Sequence, residues 1–103
     1  MSLQFMLHAL YPNPSRSTVN IRYTVPFGAQ ERIRITIYNM LGKKVWEKRI
    51  ENLLVEGTQI VTWNGQDIHG STTGSGLYIV RLSVIDQQGK GTKRFDRRIT
   101  RMR

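Results

Sequence analysis

Two segments of this chain alternate apolar and polar residues with a period of two, and this pattern leaves few folds open. Every second residue between Thr18 and Val25 is apolar, and three isoleucines take every second position between Arg32 and Tyr38. An extended strand sends successive side chains to opposite faces, so each segment has one apolar and one polar face. The pattern predicts antiparallel strands that pack on a core with one face and meet water with the other.

Turn-forming residues separate further segments of the same kind. Gly42 predicts a hairpin between the strand ending at Tyr38 and the next one. Residues 51–57 are predicted as a loop with a short helical turn at Leu53–Leu54. Further strands are predicted at residues 45–50, 58–63, 77–85 and 92–101, with a short one near residues 5–10. Together these segments predict an all-β fold, an Ig-like antiparallel β-sandwich of about seven strands.

The last predicted strand departs from the clean pattern. Arg97 falls on the same side as Phe95 and Ile99, where a core residue is expected. This predicts an edge strand or a bulge that turns the arginine out to water, whereas the two-sided strand at 77–85 is expected to be central.

At 103 residues, the chain is expected to form one domain. We interpret residues 1–9 as an N-terminal lead-in, its first three residues vector-derived, and residues 10–103 as the domain. The sequence shows no signal peptide and no apolar run long enough to span a membrane. With no cysteine, it also lacks the disulfide of antibody domains.

The chain is strongly basic, with 16 Lys and Arg against 7 Asp and Glu, and seven of the 16 lie between Lys90 and Arg103. This charge favours anionic partners such as an anionic surface polysaccharide, although a solvated strand face with a basic tail is the plainer interpretation. Arg22, Arg32 and Arg34 are predicted to share an outer sheet face. Tyr38 is the one aromatic residue expected beside them, which argues against nucleic-acid binding.

Residues with catalytic chemistry are sparse. No nucleophile–base pair or carboxylate pair stands out, and His8 and His69 lie far apart without acidic neighbours. The Asn64–Gly70 loop has oxygen ligands, but its single acidic residue suits a turn that bonds its own backbone better than a calcium site. The sequence therefore predicts a protein that is not an enzyme, with no catalytic residue, no metal and no cofactor.

Five short motifs occur in a fixed order along the chain. They are Leu10–Pro14, Val19–Tyr23, Ile37–Val45, Val61–Gly70 and Gly74–Leu82. This ordered set resembles the C-terminal sorting domain of the type IX (Por) secretion system, and the related Ig-like domain of flagellar hook-capping proteins.

The resemblance implies a non-catalytic C-terminal module of a larger secreted protein from Bacteroidetes-type bacteria. Its partners would be the parent cargo protein and the outer-membrane secretion machinery, which reads the module after passage through the periplasm. The cargo would then be secreted or anchored at the cell surface. The residues that would carry recognition are Lys93, Arg94, Arg97, Arg98, Ile99 and Arg103.

Two other functions stay open at this point. The domain would be an accessory carbohydrate-binding module of a polysaccharide-degrading enzyme if Trp46 or Trp63 stacks on sugar, although Trp63 fits a core position better. It would be a structural spacer if changes in the basic tail affect neither export nor binding.

Overall fold

A computed structural model of the chain describes residues 4–50 and 56–102. The predicted helical turn at Leu53–Leu54 lies outside the described residues. Seven strands follow one another along the described parts of the chain: β1 (Met6–Leu7), β2 (Val19–Val25), β3 (Arg32–Tyr38), β4 (Lys44–Ile50), β5 (Gly57–Trp63), β6 (Gly76–Ile85) and β7 (Gly91–Arg101).

The strands form two sheets that pack face to face. One sheet has the order β1-β2-β5 and the other has the order β4-β3-β6-β7. All of the strand pairs described are antiparallel. The predicted all-β sandwich of about seven strands is confirmed, with β6 central and β7 at an edge of the larger sheet.

The core is built from the apolar faces that the alternation predicts. Along β2 the residues Val19, Ile21 and Val25 are buried, and the three isoleucines of β3 are buried opposite them. Each such side chain contributes roughly 1.5–3 kcal/mol when it leaves water. The hydrophobic effect therefore fixes which face of each strand points inward.

One prediction about the outer surface is wrong. Arg22 lies on β2 in the three-stranded sheet, whereas Arg32 and Arg34 lie on β3 in the four-stranded sheet. The two sheets turn their outer faces in opposite directions, so the three arginines do not share one face. Similar alternation shows which side of a strand is exposed but not which sheet the strand joins. Among the described residues, no helix is long and apolar enough to cross a membrane.

Candidate functional site on the basic outer strand

Strand β7 carries four of the six residues predicted for recognition in exposed positions. Lys93, Arg94, Arg97 and Arg98 all expose their side chains on this edge strand. Arg94 lies opposite Ser83 of β6, on the outer face of the sheet, and Arg98 is four residues further along the same face. The strand therefore presents a line of positive charge along one border of the sandwich.

Arg97 explains the departure of β7 from strict alternation. It lies opposite Val80, whose side chain is buried, so the register directs Arg97 toward the core side. At the sheet edge its side chain reaches across to the smaller sheet, where Nε donates a hydrogen bond of 3.0 Å to the carbonyl oxygen of Leu7. The predicted edge strand is confirmed, and Arg97 ties that edge to β1.

An ion pair lies between the two outward arginines of β7. Arg81 donates to Asp96 through Nε at 2.9 Å and through a terminal nitrogen at 3.2 Å. The hydrogen bond to Asp96 raises the pKa of Arg81. Asp96 is thus already bound to a cation, and the side chains of Arg94 and Arg98 on either side of it are exposed to solvent.

The other two residues predicted for recognition differ from these four. Ile99 has no exposed surface and packs in the core. A partner cannot touch it in the folded domain, so the prediction of direct recognition is corrected for Ile99: it anchors the strand. Arg103 lies outside the described residues.

The outer edge of β7 is partly covered by the segment at residues 11–15. The side chain of Asn13 takes the place of a partner strand: Nδ2 donates to the carbonyl of Arg98 at 3.3 Å, and Oδ1 accepts from the amide of Thr100 at 3.1 Å. Ser15 continues the pairing, with its amide bonded to the carbonyl of Thr100 and its carbonyl to the amide of Met102, each at 2.8 Å. These bonds satisfy backbone groups that an edge strand otherwise leaves open.

A buried arginine holds the end of the same strand, and sequence reasoning missed it. Arg101 is 4% exposed. Its guanidinium donates to Ser15 Oγ at 3.2 Å and to Thr73 Oγ1 at 3.2 Å, and also to the carbonyl oxygen of Ser17. Its carbon Cζ lies 5.0 Å from the ring centroid of Trp63. We call this arrangement the Arg101 clamp.

Hydroxyl and carbonyl oxygens, rather than a carboxylate, surround the clamped guanidinium in the described part of the chain. Burial lowers the pKa of Arg101, yet an arginine keeps its charge in proteins. Burying a cation is costly unless its donors are satisfied. The hydrogen bonds and the indole ring together offset that cost, and they make the position of β7 depend on groups from distant parts of the chain.

Trp63 cannot act as a sugar platform in this fold. It has no exposed surface, and its indole nitrogen donates to the carbonyl of Gln66 at 2.8 Å. Its ring packs at 6.0 Å, edge to face, against Tyr78 and at 6.4 Å against Trp46. The stacking prediction for Trp63 is corrected: the ring fills the core and faces the clamp. Trp46 is half-buried on the edge strand β4 and stays a predicted platform.

Side-chain oxygens of the Asn64–Gly70 loop accept hydrogen bonds from nearby backbone amides. Asp67 Oδ1 accepts from the amides of His69 at 2.9 Å and Ser71 at 3.0 Å, and Asn64 Oδ1 accepts from the amide of Gln66 at 2.9 Å. The bonds from Ser71 and His69 lower the pKa of Asp67. The interpretation of this loop as a self-bonded turn is confirmed.

Comparison with known proteins identifies similar domains. The family model described as a secretion system C-terminal sorting domain matches residues 9–95. The solved structure of dimeric latent PorU from Porphyromonas gingivalis contains a similar fold, with a TM-score of 0.77 and 22% identity over 93% of this chain. The match covers only 9% of the PorU chain, and at this identity the likeness concerns the fold. No curated protein sequence matches.

Proposed function

This chain belongs to the family of type IX secretion-system C-terminal sorting domains, and on that premise we propose that its exposed basic strand is what the export machinery reads. The surface consists of Lys93, Arg94, Arg97 and Arg98 on β7, and Arg103, which lies outside the described residues, is proposed to add to recognition. The domain acts by being bound and performs no chemistry on the cargo itself.

The observation that carries this proposal is the way β7 is presented. The strand lies at a sheet edge, its basic side chains are exposed, and its backbone is fixed at one end by the Arg101 clamp. Charges held on a rigid strand bind an acidic partner surface with less loss of conformational freedom than charges on a mobile tail do. Electrostatic attraction also speeds the encounter with such a partner.

Membership of the family implies a secreted or cell-surface cargo. We propose in addition that the cargo passes through the periplasm and is then anchored at the cell surface. In this scheme the domain supplies the address, and any enzymatic activity belongs to the parent protein to which it is joined.

The test is an export assay that keeps the domain folded. A truncation from Arg98 onward is unsuitable because it removes Ile99 from the core and Arg101 from its clamp. We would instead place the chain behind a signal peptide and a fluorescent cargo in a bacterium with a working type IX system. The triple variant Lys93→Gln, Arg94→Gln, Arg98→Gln changes exposed side chains only.

The matched control is Lys43→Gln, Lys48→Gln and Lys90→Gln, which removes three exposed charges outside β7. The unsubstituted domain and the control should carry cargo to the surface, whereas the triple variant should leave it in the periplasm. Circular dichroism checks that all three remain folded. Surface cargo at the unsubstituted level with the triple variant would overturn the role of β7.

The sugar-stacking alternative now depends on Trp46 alone, and no contact of that residue favours it over the sorting function. The spacer alternative predicts that the triple variant exports normally. The same assay therefore separates the spacer from the recognition strand.

A further inference from the structure

Three arginines form a line across the outer face of the four-stranded sheet. Arg49 on β4 lies opposite Arg34 on β3, Arg34 lies opposite Ser83 on β6, and Ser83 lies opposite Arg94 on β7. Directly opposed residues of neighbouring strands project to the same face. With strands about 4.8 Å apart, the line is about 14 Å long. We call Arg49, Arg34 and Arg94 the arginine row.

The acidic side chains beside the row are already paired with cations, one of which belongs to the row. Glu47 accepts hydrogen bonds from Arg49 at 3.0 Å and from Lys44 at 3.5 Å. Burial raises the pKa of Glu47, but its bonds to Arg49 and Lys44 outweigh this and lower the pKa. Asp96 is held by Arg81. Within residues 4–50 and 56–102, neither Arg34 nor Arg94 has a hydrogen bond to a carboxylate.

The bond to Glu47 gives Arg49 a role in folding, whereas no hydrogen bond or ion pair among the described residues does so for Arg34. Like charges directly opposite one another on neighbouring strands destabilise a sheet, and Arg34 faces Arg49 in this way. The surface is also shaped around the row. The small side chain of Ser83 leaves a shallow groove between Arg34 and Arg94, and a second groove runs between Arg32, Arg34 and Arg49.

We propose that the arginine row binds an acidic polysaccharide, with Arg34 at the centre of the contact. Guanidinium groups bind carboxylate, sulfate and phosphate oxygens through paired, charge-assisted hydrogen bonds. A polymer with an anion on each repeat meets successive arginines as it crosses the strands. The hydroxyl of Ser83 adds a hydrogen-bonding group in the groove between Arg34 and Arg94.

The same face is poorly suited to other anionic partners. Single-stranded nucleic acids bind basic grooves that also offer aromatic rings for their bases. Tyr38 is the aromatic residue on the outer face of the described strands, and Arg81 already lies 5.1 Å from its ring centroid. Protein interfaces have an apolar centre with aromatic anchors, which the row itself lacks.

The proposal rests on the proposed function only in that the domain reaches the cell exterior. Its test uses the purified chain without any export machinery, and Arg34 and Arg49 are not among the recognition residues. Failure of glycan binding is therefore distinguishable from failure of export.

The probe is sodium polygalacturonate, titrated calorimetrically at low salt with neutral dextran as the uncharged comparison. The variant Arg34→Gln, Arg49→Gln should weaken binding at least about tenfold. The control Lys43→Gln, Lys90→Gln, which removes the same charge from two exposed turns, should weaken it less than about twofold. The thermal midpoint of the row variant should stay within about 2 °C of that of the unsubstituted chain, because relief of the like charges is offset by loss of the bond between Arg49 and Glu47.

A loss of affinity together with an unchanged thermal midpoint excludes misfolding as the cause. Three results would overturn the proposal. They are equal weakening by the row variant and the control, no binding of polygalacturonate by the unsubstituted chain, and tighter binding of single-stranded oligothymidine than of polygalacturonate.

Discussion

The guanidinium of Arg101 lies 5.0 Å from the ring centroid of Trp63. These two residues are 4% and 0% exposed and belong to different sheets, since β7 ends with Arg101 and β5 ends with Trp63. A cation over an indole face gains more when water is excluded from the contact. The pair therefore joins the two sheets at the point where the strand proposed for recognition ends.

Replacing Arg101 with lysine should lower the free energy of unfolding by about 2 to 3 kcal/mol. A lysine keeps the charge but cannot direct separate nitrogens at Ser15, Ser17 and Thr73, so buried oxygens there lose the donor that they accept from. Urea denaturation measures the change. Arg98→Lys, on the exposed face of the same strand, should stay within about 0.5 kcal/mol. Similar losses from both substitutions would show that the clamp does not hold β7.

Gly65→Ala should lower the free energy of unfolding by about 3 kcal/mol, against about 1 kcal/mol for Gly42→Ala. Both glycines have a positive φ, +83° and +80°, so both substitutions carry the cost of left-handed backbone. The two sites differ in the room that they leave for a Cβ atom. A Cβ on Gly65 would lie 2.8 Å from Ser17 O and from Arg101 Cζ, whereas one on Gly42 meets nothing within 4 Å. Equal losses in urea denaturation would mean that the backbone alone matters.

Most of the fold could be predicted because its information is local. The period of two along β2 and β3 names the buried faces, and turn residues such as Gly42 separate the strands. Alternation identifies Arg94 and Arg98 as outward residues of β7, whereas Lys93 and Arg97 fall on the core side and are exposed because β7 is an edge strand. Sheet membership could not be predicted for Arg22, because pairing depends on strands far apart in the sequence.

The parts of the candidate site that sequence reasoning missed depend on long-range contacts. In the sequence Arg101 is one of several arginines near the C-terminus, and nothing local shows that it donates a hydrogen bond to Ser15, 86 positions earlier. Asn13 reads as a turn residue, although it caps β7 across 85 and 87 positions. The serine and threonine residues that precede β2 and β6 are the one feature of the sequence that points to the surroundings of Arg101. Such residues provide hydroxyls able to surround a buried cation, but they are equally common in turns.

Asn13→Ala should speed amide hydrogen exchange of Thr100 by about tenfold and lower the free energy of unfolding by about 1 kcal/mol. The substitution removes the acceptor of the Thr100 amide and the donor to the Arg98 carbonyl. Exchange is followed by nuclear magnetic resonance. The control is Asn20→Ala, which breaks a bond to Thr62 in the other sheet. Unchanged exchange at Thr100 in the Asn13 variant would show that this edge is protected by other groups.

Acidification from pH 7.5 to 5.5 should destabilise the domain through His8. Burial lowers the pKa of His8 from 6.5, and Arg22 and Arg97 lower it further. The unfolded chain therefore takes up a proton at higher pH than the folded one, so the contribution of neutral His8 is complete above pH 6.5 and declines as the pH falls toward its folded pKa. Neutral His8 shares a hydrogen bond of 2.6 Å with Thr24.

The free energy of unfolding, measured by urea denaturation across this pH range, should depend less on pH in His8→Gln than in the unsubstituted chain. The matched variant is His69→Gln, on an exposed loop, which should keep the slope. A domain in which a histidine has a lowered pKa must lose stability as the pH falls, because the unfolded state binds the proton at a higher pH than the folded state does. If His8→Gln retains the full slope, neither burial nor the arginines beside it lower the pKa of the ring, and Arg97 serves β1 through its bond to Leu7 alone.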